Sequence, residues 1–318
     1  MIPYFFSDNQ PFVAFIGILT AFLATCLVIS RCSKYLPKDQ GRDFAVEGKK
    51  SAGKPRGAGI LFILVFAVST LLFAGLSMEL CIYLMLVVIE MLTGFFDDTA
   101  EKPWGELRKG LLDLAVSAAV AVTYLQYNSG TIEIAGMQVT LPPVVFALCV
   151  MVMVWVSINV TNCADGVDGL SGTLTIITLA TIYVINGIKE AGGDFSFPIL
   201  LFIVCILGYL WYNATPSRLL MGDAGSRAMG VFISIAILKS GSPLLYIPVA
   251  FVLIMDGGLG LVKVSLIRAF KIHILKNTLT PLHDHVRKKL GWSNTQTVFR
   301  FAIIQIVISV ATVYMLML

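Results

Sequence analysis

Residues 80–98 read LCIYLMLVVIEMLTGFFDD. Seventeen apolar-dominated positions match the length that crosses a bilayer core, about 20 residues, and Glu90 is their one interruption. The run closes on two adjacent aspartates, Asp97 and Asp98. Carboxylates about 4 Å apart repel by about 4 kcal/mol at an effective dielectric of 20. A divalent cation, nearby Lys or Arg, or protonation of one member offsets that repulsion. The plain reading is a solvated acidic helix end with Lys102 as partner; the functional one is the wall of an ion or phosphate site. Glu90 lies two helical turns before Asp97 on the same face, either as a buried hydrogen-bonded acid or as an intramembrane functional group.

The rest of the chain has the same character. Of 318 residues, 57% are hydrophobic and 13% charged, with a mean hydropathy of +0.86, which excludes a water-soluble domain of this length. Apolar runs lie near 12–30, 57–76, 80–96, 108–126, 143–161, 170–188, 197–213, 224–239, 244–268 and 298–317. They predict an all-α integral membrane protein of about ten transmembrane helices, with residues 1–318 as a single polytopic domain. MIPYFFSDNQ at the start carries no basic segment, so the first span is read as a retained helix. NSGTIEIAGMQVTLPP (128–143) alternates polar and apolar residues around Gly136 and predicts a small β-hairpin on the outer face. The six cysteines are scattered, without C-x-x-C or zinc spacing, and read as small buried hydrophobes.

Charge gives orientation. Connections on one side collect Arg31, Lys34, Lys38, Arg42, Lys49, Lys50, Lys54 and Arg56, then Lys102, Arg108 and Lys109, then Arg218 and Arg227, then Lys263 to Arg300. Lys189 and Lys239 are left for the other side. The positive-inside rule makes the basic side cytoplasmic and puts both termini outside. The acidic motifs and all three histidines, His273, His283 and His285, fall on that basic side.

Three further motifs stand there. In NVTNCADGVDGL (159–170), Asn159, Asn162, Asp165 and Asp168 recur every third residue and share one face; one could cap the next helix, whereas four together suit a uracil edge, ribose or phosphate. In SRLLMGDAGS (217–226), Asp223 sits between Gly222 and Gly225 at a helix start, as a cap or as a metal ligand beside phosphate. In TPLHDHVRKKLGW (280–292), His283 and His285 precede Arg287, Lys288 and Lys289, reading as a pyrophosphate clamp or a solvated basic face. Asp256 in MDGGLGLVK (255–263) suggests a buried pair with Lys263 or a glycine hinge. No P-loop, Rossmann or zincin motif occurs. Carboxylates, amides and cations at a membrane boundary suit a Mg²⁺-chelated pyrophosphate passing between a soluble and a lipid substrate.

GFFDD, N-x-x-N-x-x-DG-x-DGL and MGD-x-GS, in this order and on these spans, resemble the polyprenyl-phosphate N-acetylhexosamine-1-phosphate transferase superfamily across nearly the whole chain. PLHDHVRKKLGW, FRF at 299–301 and the short outer hairpin are most similar to its branch that moves phospho-MurNAc-pentapeptide from UDP-MurNAc-pentapeptide to undecaprenyl phosphate, yielding lipid I and UMP for peptidoglycan synthesis. The resemblance implies a bacterial cytoplasmic-membrane enzyme with its active site facing the cytoplasm, Mg²⁺ as cofactor and a homodimer. It implies Asp223 as the Mg²⁺ ligand, and Asp97 and Asp98 at the reacting phosphates, one of them as base or as the group that positions the lipid phosphate. Asn162, Asp165 and Asp168 would line the nucleotide or pyrophosphate site with Asn213 nearby, and His283 and His285 would meet the sugar-phosphate. Two positions depart from the family's pattern: its three successive histidines are His283-Asp284-His285 here, and its G-T-P-T-M-G-G loop is GKPRGAG at 53–59. Lys54 and Arg56 replace hydroxyl residues there and are therefore assigned only general anion binding. The alternatives are a GlcNAc-1-phosphate transferase of the same superfamily and, from another class, a cation-coupled transporter built on Glu90 and Asp256.

Overall fold

A computed structural model describes residues 2–5, 10–41, 51–102, 104–134 and 137–318. Arg42, Lys49, Lys50 and Gly136 lie outside the described residues. Helices occupy every apolar stretch read from the sequence: α1 Gln10–Cys32, α2 Gly59–Phe73, α3 Met78–Thr99, α4 Glu106–Tyr127, α5 Pro143–Cys163, α6 Leu170–Ile188, α7 Ser196–Asn213 and α8 Gly222–Lys239. A broken segment ending in α9 Leu259–Phe270 follows, then the short α10 Leu282–Leu290 and α11 Asn294–Met317. β1 Thr131–Ile134 and β2 Met137–Thr140 pair antiparallel with Thr131 opposite Thr140, the expected hairpin. Among the described residues seven helices are long and apolar enough to cross a membrane, or eight if the broken segment counts as one. Of the ten expected spans, the two outside this measure are α2, whose 15 residues reach about 22 Å, and α8, which carries Asp223, Arg227 and Lys239 within 18 residues.

Lipid-facing and buried helices divide sharply. α1 exposes Phe12, Phe15 and Leu23, and α11 exposes Phe299, Val307 and Val310, as hydrocarbon solvation allows. α8 is the opposite: every residue from Ala224 through Leu238 is buried. It is the centre of the bundle, and α2, α3, α5 and α6 surround it. Phe232 of α8 meets Phe202 of α7 at 4.3 Å between ring centroids and Phe66 of α2 at 5.1 Å.

Such close surrounding requires small residues at the contacts. A Cβ on Gly59 would overlap the backbone of Gly225, and one on Gly94 would overlap the backbone of Asp223. The glycine of GFFDD thus lets α3 touch the start of α8.

The ninth segment bends by 73° between Pro243–Val249 and Phe251–Phe270. Backbone groups freed inside a bilayer need new partners. Gln305 of α11 supplies them, accepting from Val252 N at 2.9 Å and donating to the Pro248 carbonyl at 3.1 Å. A π-turn at Ile254–Gly258 then carries Asp256. The expected pairing of Asp256 with Lys263 does not form. Lys263 donates to the carbonyls of Leu275 and Thr278, while Asp256 turns to the α10 segment.

The two ends of the bundle differ as the charge pattern predicts. Lys189 and Lys239, the two lysines assigned to the outer side, lie beside the hairpin end. Lys239 pairs with Glu79 at 2.9 Å and donates to Asn128; Lys189 pairs with Glu133 of β1. The acidic motifs gather at the opposite end. Replacing Gly94 with Ala is expected to cost about 1–3 kcal/mol by overpacking. Gly110→Ala, on α4 with open space around it, is expected to leave stability equal or raise it by up to about 1 kcal/mol. Thermal unfolding of the two purified variants in detergent checks the contrast.

Candidate active site

The described residues 37–41 and 51–58 and the segment before α8 are sewn together by backbone hydrogen bonds. Leu220 N donates to the Pro55 carbonyl at 2.8 Å, and Ala58 N and Gly59 N donate to the carbonyls of Leu220 and Met221 at 3.0 Å. The loop is tied to itself by Asp39 N donating to the Lys54 carbonyl and Gly53 N to the Asp39 carbonyl, each at 2.8 Å. This stitching delivers Arg56 to the start of α8.

Arg56 is the hub. Its guanidinium stands 2.7 Å from Asp98 Oδ1, 3.3 Å from Asp39 Oδ1 and 3.8 Å from Asp223 Oδ1. Burial disfavours its charge, but the carboxylates of Asp98, Asp223 and Asp39 outweigh burial and raise its pKa. Lys109 makes the matching bridge on the other side, 2.5 Å from Asp97 Oδ2 and 3.8 Å from Asp223 Oδ2. Asp97 and Asp98 are therefore not a solvated helix end, and the partner is Lys109 rather than Lys102.

The three aspartates are not equivalent. Asp97 accepts from Trp104 N at 2.7 Å with its second oxygen. Asp98 accepts from Ala224 N at 3.4 Å, so it faces the positive end of the α8 dipole. Their side chains are 6% and 1% exposed, that of Asp223 17%. Asp223 holds its cations at longer range and alone of the three lines the adjoining cavity.

That cavity, about 820 Å³, is lined by Lys54, Arg56, Asn162, Asp165, Asp168, Asn213 and Asp223, and also by Arg287 and Trp292. Its loops are cross-braced. Asn213 accepts from Gly169 N at 2.8 Å and donates to the Leu219 carbonyl at 2.9 Å. Asp168 accepts from Ser217 N at 3.1 Å, and Lys54 donates to Ser217 Oγ at 2.9 Å. Asp165 accepts from Ser171 Oγ at 2.7 Å, and Asn162 donates to Ser226 Oγ at 3.0 Å. Of the four residues at three-residue spacing, Asn159 does not join this wall. It lies a turn deeper on α5 and donates to Asp113 of α4 at 3.2 Å, because α5 ends at Cys163 and only the residues near and past that end reach the cavity.

The histidines have local tasks. Buried His283 places Nδ1 2.8 Å from Asp256 Oδ2, and its N–H donates to Asp256 Oδ1 at 2.7 Å. Its Nε2 sits against Gly166, where any Cβ would collide with the ring, so it props the Asp165–Asp168 loop from behind. His285 Nδ1 accepts from Leu279 N at 3.2 Å. Neither side chain lines the cavity. The sequence assigns Arg56 only a general anion-binding role and Lys109 only a place on the basic side, and it does not single out Asp39 or Asp113, because charge beside an apolar run is a signal many solvated residues share.

Residues 80–241 match the model of glycosyl transferase family 4. The chain is 37% identical over 310 residues to the phospho-N-acetylmuramoyl-pentapeptide-transferase of Treponema pallidum, covering 91% of this chain and 85% of the relative. Proteins of the same name from Desulfotalea psychrophila (32% identity, 81% and 79% covered) and Symbiobacterium thermophilum (29%, 81% of each) are also similar.

Asn213→Ala removes both braces between the Asp168 loop and the approach to α8. The loss of two buried hydrogen bonds should cost about 1–3 kcal/mol, read as a lowered thermal midpoint.

Proposed function

The chain belongs to glycosyl transferase family 4, and on that premise we propose that it transfers phospho-MurNAc-pentapeptide from UDP-MurNAc-pentapeptide to undecaprenyl phosphate, releasing UMP and forming lipid I. The observation that carries this reading is the convergence of Asp97, Asp98 and Asp223 on Arg56 and Lys109 at one end of a membrane bundle. A water-borne diphosphate and a lipid phosphate can meet only at such a boundary.

The charge balance supports a divalent cation there. Among the described residues Asp97, Asp98 and Asp223 pair with Arg56 and Lys109, three carboxylates against two cations. Among the described residues no group of three or more His, Cys, Asp or Glu side chains is arranged to hold a metal ion. Mg²⁺ needs only one or two carboxylates and completes its shell with water and substrate phosphate. Asp223, the most open carboxylate, with Asp98 beside it, would hold the ion, whose contribution is to neutralise the diphosphate.

In the reaction an oxygen of the lipid phosphate forms a bond to the β-phosphorus of the donor. The bond from that phosphorus to the bridging oxygen breaks, and UMP leaves with the electron pair. A phosphate monoester is largely ionised near neutral pH, so the attacking oxygen needs no strong base. Positioning and charge stabilisation do most of the work. Arg56 and Lys109 supply fixed positive charge at the reacting phosphates. Lys54, Asn162, Asp165, Asp168 and Asn213 shape the nucleotide end, and His283 supports it through Gly166. A cation-coupled transporter needs intramembrane acids free to exchange ions, yet Glu90 is bound to Arg227 and Asp256 to His283.

The excess of Lys and Arg at the reactive end supports a cytoplasmic orientation with both termini outside. Family resemblance carries the homodimer, which analytical ultracentrifugation in detergent would distinguish from a monomer.

Purified protein with undecaprenyl phosphate should release UMP from UDP-MurNAc-pentapeptide in Mg²⁺ and lose that activity in EDTA. Asp223→Asn should lower kcat by about 100-fold or more, the scale of removing one preorganised charge interaction. UMP release from UDP-GlcNAc alone would assign the donor to the other branch, and undiminished kcat in Asp223→Asn would remove Asp223 from the reaction.

A further inference from the structure

One helical layer beneath the site lies a second set of charges. Arg227 of α8 donates from Nε to Glu90 Oε1 of α3 at 2.9 Å and from a terminal nitrogen to Asp113 of α4. Asn159 of α5 donates to the other oxygen of Asp113 at 3.2 Å. The group is sealed from water: Glu90 is 0% exposed, Asp113 2% and Arg227 4%. Intramembrane charges are costly to keep, and an apolar cluster of the same volume would often be as stable or more so. Stability alone therefore does not explain these residues.

Their placement does. Arg227 lies four residues beyond Asp223 on α8, Asp113 four beyond Lys109 on α4, and Glu90 seven before Asp97 on α3. Each spacing returns to the same helix face, about 6 Å deeper for four residues and about 10 Å for seven. The three helices that supply the Asp97–Lys109–Asp223 layer are thus fastened to one another directly beneath it. Arg227 is suited to the task because a planar guanidinium offers separate donors at fixed angles to two acceptors. A slide or rotation of α8 relative to α3 or α4 would break one of its two bridges and strand a buried carboxylate. The glycine contact at Gly94 sets how near α3 and α8 come, but a smooth contact does not define register along the axis. The ion pairs do.

We propose that Glu90, Asp113 and Arg227 are positioning residues that lock the register of α3, α4 and α8 and so set the spacing of Asp97, Lys109 and Asp223. The proposal rests on the reading that those latter residues serve phosphate transfer. It separates register from stability, because neutral side chains of like size can fill the space without holding the register.

The test replaces the lock by neutral groups in Glu90→Gln/Asp113→Asn/Arg227→Met. The expected result is a folded protein with a thermal midpoint at or above that of the wild type, kcat lower by about 10-fold or more, the scale of a small misplacement of reacting groups, and donor KM within about threefold. Wild-type kcat in the folded triple variant would overturn the proposal. If the triple variant does not fold, Glu90→Gln alone decides, since it leaves the Arg227–Asp113 pair neutral and intact. A kcat reduced about threefold or more per folded molecule, at unchanged KM, supports the lock, and an unchanged kcat overturns it. Asp223→Asn run in parallel keeps the two ideas apart. If it retains turnover, the phosphate-site reading fails first; if it is inactive while the lock variants are fully active, the lock alone fails.

Discussion

The close approach of α8 to α3 is the constraint on which the reactive end depends. Gly94 has no side chain to hold the helices apart, so the first turn of α8 reaches Asp98, which accepts from Ala224 N. A helix N-terminus carries roughly half a positive charge. Burying it would be unfavourable without an anion, and keeping Asp98 ionised would be unfavourable without a cation. The pairing answers both needs. It also places Asp223, one residue before Ala224, at the mouth of the cavity with its side chain partly open.

Around this contact the cations are shared rather than matched one to one. Arg56 serves three carboxylates and Lys109 serves two. Such a site is held together by shared side-chain charges, to which the proposed metal and its phosphate ligand would add. Rigidity comes from the backbone stitching of residues 55–59 to the approach of α8 and from Asn213 bridging the next loop. Preorganised groups of this kind cost no rearrangement when charge develops. The buried Arg227 layer extends the same logic inward.

Much of this was legible beforehand, and unevenly. The apolar run and the acidic end bounded α3 to within a few residues, while the cap at its start, Ser77 accepting from Leu80 N, showed only in the structure. The hairpin followed from alternation. Asn162, Asp165, Asp168, Asn213, Asp223 and Lys54 all border one cavity. Asn159 did not, because a three-residue period drifts around a helix and beyond its end has no fixed direction. Asp256 chose His283 over Lys263 because a break in the ninth segment redirects it, and the sequence shows the glycines but not the bend. α2 and α8 were read as ordinary spans; one is short and the other is a buried centre.

By itself, the sequence determined the membrane environment, the helical class, the sorting of charge to one side and the order of the acidic motifs. These follow from local composition, because hydrocarbon accepts only long apolar segments with internally satisfied backbones. Tertiary structure decided which charges meet. Arg56 reaches Asp98 across 42 positions and Arg227 reaches Glu90 across 137. Such pairings depend on helix spacing, set by glycines at contacts, and on loops joined by backbone hydrogen bonds. Neither leaves a periodic trace in the chain.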